Sequence, residues 1–323
     1  MKNVYLCQSA QTLHEVYNND ESVFAKEDVL ANADRFRDTE CIFSTWGMPA
    51  FTEEEIKAYL PNLKAVFYAA GSVQAFARPF LNCGVRVFSA WTANAVPVAE
   101  YTLAQILLAN KGCYALSRMA KQGMEAYEAS WEVRDRYPGN YGVKVGIIGA
   151  GMIGKLVIKL LKAYDLEVLV FDPFLADEAA LTLDVTKVPL AQLFAECQVV
   201  SNHLADNEQT KGMLTGELFA SMRPYATFLN TGRGAQVNEA ELVAVLRERA
   251  DLTAVLDVCT EEPPAANSGF YELENCILTP HMAGSRGQEL HRMAAYMQEA
   301  HRCFANGEPS RCEVTAAMLK TMA

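Results

Sequence analysis

The stretch Val143-Lys144-Val145-Gly146-Ile147-Ile148-Gly149-Ala150-Gly151-Met152-Ile153-Gly154 decides the fold. Its first six residues are short and apolar enough for a buried parallel strand. Three glycines at G-x-G-x-x-G spacing follow, and Met152 to Tyr164 continues with helical periodicity. A strand, a glycine turn and a helix in that order cradle a dinucleotide. Gly149 permits the tight turn, Gly151 lets the backbone approach a pyrophosphate, and Gly154 lets the helix lie close to the strand. The helix N-terminus at Met152 and Ile153 offers unpaired N–H groups and partial positive charge to the phosphates. Asp172, 18 residues beyond Gly154, ends the next strand, where a carboxylate can bond both ribose hydroxyls. It would repel a 2′-phosphate, which favours NAD over NADP. Taken alone, Asp172-Pro173 also reads as a strand-ending turn.

Working outward, Glu167–Phe171, Gln198–Ser201, Thr227–Leu229, Thr253–Leu256 and Cys276–Leu278 read as further strands with helical patterns between most of them. Six strands with crossover helices make a doubly wound sheet. Upstream, Val4–Cys7, Cys41–Ser44, Ala65–Tyr68 and Val85–Phe88 read as strands of a smaller α/β domain. Thr52-Glu53-Glu54-Glu55 and Asn238-Glu239-Ala240-Glu241 have capping-box spacing and open helices. The segment from Asn94 to Asn110 is apolar on nearly every face, so its helix is expected to be buried all round, between domains or subunits. Trp131 to Tyr141 is the main linker-like stretch. Gln288 to Asn306 is a long helix expected to pack back on the first domain.

The 323 residues allow two ordinary domains. A net charge of −11, from 28 basic and 39 acidic residues, argues against general nucleic-acid binding, which needs a basic face. No stretch approaches the roughly 18 consecutive apolar residues of a membrane span. Met1 to Gln8 lacks a signal-peptide pattern and reads directly as a first strand. The nine scattered cysteines form no CxxC pair and have no histidine at metal spacing. Reduced thiols in a cytoplasm and no metal site are expected.

Three further segments carry chemistry. Arg233 lies between two glycines just after the strand Ala226–Leu229, at a carboxyl end where open α/β sheets place ligands. A guanidinium there can bind a carboxylate or carbonyl oxygen through its rigid fork. His281 follows Pro280 after the strand Cys276–Leu278, again at a carboxyl end. Glu262 precedes two prolines. Each alone also reads as a structural or surface residue.

The whole pattern resembles the D-isomer-specific 2-hydroxyacid dehydrogenase family. The resembling segments are Asn94–Glu100, Val145–Gly154, Asn230–Gly234, Leu256–Pro263 and Leu278–Gly284, with good coverage from about residue 65 to 292 and poor coverage in the first 60 residues. The resemblance implies an α/β protein of two domains. A doubly wound Rossmann-type coenzyme domain (residues 94–293) would be inserted in a flavodoxin-like substrate domain (1–93 and 294–323). It implies a small 2-oxo or 2-hydroxy acid as the ligand, while the apolar helix after Asn94, too apolar to be left exposed, leads to the expectation of a homodimer, with no nucleic acid and no membrane as partners. Carried over, Arg233 would bind substrate and His281 would be the acid/base, with Glu262 as its carboxylate. A neighbouring carboxylate favours the imidazolium, raising a histidine towards the operating pH. Asp257 would lie at the nicotinamide carboxamide, with Thr231, Gly232 and Gly284 nearby and His203 at the cofactor. Gly71-Ser72-Val73 would receive the substrate carboxylate on backbone N–H groups.

Departures from the family pattern are the missing proline in Asn202-His203-Leu204-Ala205-Asp206, the missing Asp-Asn pair after Val73, and Arg286 where threonine is frequent. Cys41–Phe51 and Ala70–Ala77 contain no Lys or Arg, which disfavours a phosphorylated substrate. Trp46, Met48, Phe51 and Phe76 are consistent either with an apolar side-chain pocket or with the core of the small domain. The absence of sequence after Ala323 leads to the expectation of a chain without the regulatory domain of long phosphoglycerate dehydrogenases. An NAD(H)-sensing, corepressor-like binding protein on the same fold is the alternative. Formate dehydrogenases carry Gln where Glu262 stands.

Overall fold

The computed structural model describes residues 1–320. The chain forms two compact units, Met1–Ala95 with Ser285–Ala323, and Val96–Gly284. The first contains a six-stranded sheet built from β1 (Asn3–Leu6), β2 (Val23–Phe24), β3 (Cys41–Ser44), β4 (Ala65–Tyr68), β5 (Arg86–Ser89) and the last strand, β13 (Glu313–Val314). Its order is β13-β5-β4-β3-β1-β2, parallel except for β13. Reading β2-β1-β3-β4-β5 as 2-1-3-4-5 gives the flavodoxin-like order. Every residue of β3 and β4 is buried, which is why these strands are apolar runs without alternation.

The second unit holds β6 (Val143–Ile148), β7 (Leu166–Phe171), β8 (Thr186–Lys187), β9 (Val199–Asn202), β10 (Thr227–Asn230), β11 (Thr253–Leu256) and β12 (Cys276–Leu278). The order is β12-β11-β10-β9-β6-β7-β8, all parallel. The order reverses direction at β6, so the doubly wound topology has its switch point beside the glycine loop. Seven strands are present where six were expected. The addition, β8, and the unexpected β2 and β13 are two-residue edge strands, too short to leave any periodicity in the sequence.

The helix Thr52 opens is capped as its spacing predicts: Glu55 N–H donates to Thr52 Oγ1 (3.2 Å) and Thr52 N–H to Glu55 Oε2 (2.8 Å). At Asn238 only half of the box forms, because the Glu241 carboxylate turns to the Gly216 N–H instead (2.5 Å). The helix Glu289–Asn306 buries Met293, Ala294, Met297 and Ala300 against Leu13, Phe43 and Phe67. That packing places the helix in the first unit, whose second segment begins at Ser285.

Within one chain the helix Trp91–Asn110 leaves Glu100, Ala104 and Leu108, one face at i, i+4, i+8, exposed. One expectation is corrected. Trp131–Arg134 belongs to the helix Met124–Arg134 rather than to a linker, and Tyr127 and Trp131 meet edge to face at 6.2 Å on it. All nine cysteines are free thiols. Burial pushes Cys41 up to about 11 and Cys197, Cys259 and Cys276 up to about 12, which makes them inert. No helix among the described residues is long and apolar enough to cross a membrane.

Candidate active site

Strand register assembles the candidate residues of the second unit. The parallel ladders align Phe171, Ile148, Asn202, Asn230, Leu256 and Leu278 in one row across the sheet. The next residue on each strand is therefore Asp172, Gly149, His203, Thr231, Asp257 and Thr279. All six lie along the carboxyl edge, and five of them are residues singled out from the sequence.

The glycine loop shows three different constraints. Gly149 has a φ of +86°, and a Cβ there would stand 2.9 Å from the His203 carbonyl oxygen. A Cβ on Gly154 would fall 2.0 Å from the Gly149 carbonyl oxygen, so that glycine lets the helix close on the turn. A Cβ on Gly151 would meet nothing within 4 Å, so the space beside it is open for a pyrophosphate. The first helical bond runs from Lys155 N–H to the Gly151 carbonyl (3.0 Å), leaving the amides of Met152 and Ile153 without a helical acceptor. Asp172 accepts from Ala150 N–H (2.7 Å) and Phe174 N–H (2.8 Å), which fixes its carboxylate beside the loop. These features fit a dinucleotide.

The Arg233 loop is held by amide side chains. Asn202 Nδ2 donates to Asn230 Oδ1 (3.0 Å) and Gln236 Oε1 (2.6 Å), and Asn230 Nδ2 donates to the Arg233 carbonyl (3.1 Å). Arg233 N–H donates to Gln236 Oε1 (3.2 Å), and its guanidinium Nη1 to the Gly232 carbonyl (2.8 Å). Arg233 forms no ion pair among the described residues. Gly234 is required because a Cβ would stand 1.9 Å from the Cys259 carbonyl carbon. That backbone contact draws the arginine loop against the Asp257–Glu262 loop. Asn202 and Gln236 were not found from the sequence, where buried amides look like ordinary polar loop residues. Thr231 is buried, its hydroxyl 3.4 Å from His203 Nδ1, and His203 Nε2 lies 2.9 Å from Ser201 Oγ. Burial pushes the His203 imidazole down to about 3, so the ring is neutral.

His281 is brought to Glu262. Its Nδ1 lies 2.7 Å from Glu262 Oε2, and Glu262 Oε1 accepts from Cys259 N–H (3.4 Å). The histidine sits in the left-handed region at φ +49°, an uncommon conformation for a residue with a side chain, and one that marks sites where geometry is imposed. The source of that imposition is Asp257, 2 % exposed. Its Oδ1 accepts from Thr279 Oγ1 (2.6 Å) and Met282 N–H (2.9 Å), and its Oδ2 from Ala283 N–H (2.9 Å). The Asp257 carbonyl accepts from His281 N–H (3.1 Å). This use of the carboxylate, as the frame of the histidine turn that ends at Gly284, was not foreseen from the sequence.

In the first unit, the N–H groups of Gly71, Ser72 and Val73 donate to no acceptor among the described residues, which suits an anion-receiving loop. The single hydroxyl proton of Ser89 is shared between the carbonyls of Ala70 (2.8 Å) and Gly71 (2.6 Å), which ties the base of the loop to β5. Trp46 is 42 % exposed. Phe51 and Phe76 are instead buried core residues, with Met48 packed against the same cluster. The pocket reading therefore fails for Phe51 and Phe76, whose apolar surface is consumed by the fold of the small unit.

Residues 104–283 match the family model described as "D-isomer specific 2-hydroxyacid dehydrogenase, NAD binding domain". The chain is 32 % identical over 234 residues to the (S)-sulfolactate dehydrogenase of Chromohalobacter salexigens, covering 72 % of this chain and 74 % of that one. It is 30 % identical to the D-3-phosphoglycerate dehydrogenase of Synechocystis sp., covering 72 % of this chain. The match spans only 41 % of that relative's length. Among solved structures, the apo D-mandelate dehydrogenase of Rhodotorula graminis superposes with a TM-score of 0.79 at 20 % identity, over 97 % of both chains.

Proposed function

The chain belongs to the D-isomer-specific 2-hydroxyacid dehydrogenase family, and on that premise we propose that it interconverts a 2-oxo acid and a D-2-hydroxy acid. The observation that carries the proposal is the 2.7 Å contact between His281 Nδ1 and Glu262 Oε2, on loops packed against the one that presents Arg233. With Nδ1 on Glu262, proton exchange with the substrate oxygen falls to Nε2. The Arg233 guanidinium holds the substrate carboxylate and polarises its carbonyl. Gly149, Gly151, Met152, Ile153, Gly154 and Asp172 hold NAD, with His203, Thr231, Gly232, Asp257 and Gly284 lining the same strand edge. NAD(H), when bound, supplies or accepts the hydride. Gly71, Ser72 and Val73 receive the carboxylate in the substrate domain, and Trp46 borders the substrate side chain.

The substrate-side loops Cys41–Phe51 and Ala70–Ala77 lack any cation, so the acid we propose has an uncharged side chain. NADH oxidation against a panel running from glyoxylate and pyruvate through hydroxypyruvate to branched and aromatic 2-oxo acids tests this. Strong turnover of one uncharged member with NADH preferred over NADPH is the expected result. Comparable turnover of 3-phosphohydroxypyruvate would overturn the side-chain assignment, and no turnover of any member would overturn the reaction.

A homodimer is also proposed. Leu108, Met124, Tyr127, Trp131 and Tyr141 of the second unit are exposed, apolar surface that a second copy would cover. Sedimentation at micromolar concentration is expected to give twice the chain mass, and a monomer there would refute it.

A further inference from the structure

Tyr101 and Thr102 are neighbours on the helix Trp91–Asn110, and each hydroxyl reaches a different loop of the site. Tyr101 Oη lies 3.0 Å from Thr279 Oγ1. Thr279 has one hydroxyl proton, and it is directed to Asp257 Oδ1 at 2.6 Å. An ionised carboxylate only accepts, so the Tyr101 phenol must donate to the threonine oxygen. Burial, first among the causes, holds that phenol above its usual range, so it stays protonated as a donor. From Asp257 the chain continues through its carboxylate to Met282 and Ala283 and through its carbonyl to His281. On the next residue, Thr102 Oγ1 lies 3.2 Å from Thr231 Oγ1, both buried, two residues before Arg233.

One turn of one helix thus anchors both the histidine turn and the arginine loop. We infer that Tyr101, acting through Thr279 and Asp257, is a positioning residue that sets His281 in its left-handed turn against Glu262, with Thr102 fixing the Arg233 loop from the same helix. The inference rests on the reading of His281 as the proton-exchanging group. It assigns the hydroxyls a task beyond cohesion, because a displacement of about 1 Å in a catalytic group can cost as much as ~100-fold in rate.

Tyr101→Phe, Thr279→Val and Thr279→Ser test it with three readings: kcat and KM on the 2-oxo acid the wild type reduces best, the melting temperature, and deuterium exchange of the 279–284 amides. Tyr101→Phe and Thr279→Val are expected to lower kcat by about tenfold, leave the KM for NADH unchanged, and speed exchange at Met282 and Ala283. Thr279→Ser keeps the hydroxyl and is expected to keep kcat and slow exchange. Wild-type kcat in Tyr101→Phe, with or without a lowered melting temperature, overturns the inference, as does unchanged exchange. Exchange needs no turnover, so a protein that reduces no 2-oxo acid fails the functional reading on separate grounds, while its exchange still decides whether the tether exists.

Discussion

His281→Gln is expected to lower kcat for 2-oxo acid reduction by roughly two to four orders of magnitude, the usual contribution of a positioned general acid, while NADH binding survives. Gln fills similar volume and can still bond Glu262 through its amide, so the loop geometry is kept. It cannot exchange a proton near neutral pH, so only the chemistry is removed. The residues proposed for the pyrophosphate and ribose, Gly149–Gly154 and Asp172, lie elsewhere on the sheet edge, and the substitution leaves the Asp257 carboxylate with its own donors, which is why the two effects separate. Single-turnover absorbance at the NADH band measures the chemical step, and NADH fluorescence titration measures binding. A kcat within tenfold of wild type would remove His281 from the proton path, and lost NADH binding would show that the turn supports the cofactor site instead.

Gly234→Ala is expected to be the most damaging single-methyl change in the second unit. The added Cβ would fall 1.9 Å from the Cys259 carbonyl carbon and 2.1 Å from the Thr260 nitrogen. Those are backbone atoms, which cannot rotate away as a side chain would. Either the Arg233 loop lifts from the Asp257–Glu262 loop or both shift, and overpacking of this kind costs about 3 kcal/mol or more. For a unit of this size that lowers the melting temperature by roughly 6–12 °C, and activity is expected to fall with it as the loop that carries Arg233 is displaced. Gly151→Ala is the control, because its Cβ meets nothing within 4 Å, and its melting temperature is expected to match wild type. Equal melting temperatures for Gly234→Ala and wild type would mean that the two loops do not rely on this contact.

Much of the molecule was legible in the chain, and the particular residues show why. The strands Cys41–Ser44, Ala65–Tyr68, Val143–Ile148, Thr253–Leu256 and Cys276–Leu278 were readable to the residue because a buried parallel strand must be an unbroken apolar run. The order of Gly149, Asp172, Arg233, Glu262 and His281 was readable because each follows such a run, and a doubly wound sheet collects strand ends on one edge. In the first 60 residues, where the resemblance is poor, β3 and, to within one residue, β1 still declared themselves by the same rule, while the two-residue β2 did not.

What the sequence by itself determined was therefore what local periodicity and chain order govern: the strands long enough to show an apolar run, the glycine turn, and which residues reach the carboxyl edge. The tertiary structure alone decided how those residues are used. Whether Phe51 and Phe76 line a pocket or fill a core depends on the helices laid over them, and both are buried. Asp257 turns inward to frame the histidine because Thr279, Met282 and Ala283, more than twenty residues on, present their donors to it. Tyr101 and Thr279 meet across 178 residues of sequence, and Thr102 and Thr231 across 129. A hydroxyl carries no periodicity that announces its partner. Such pairings are set by where the helix comes to rest on the sheet, and that is fixed only when the whole apolar core has packed.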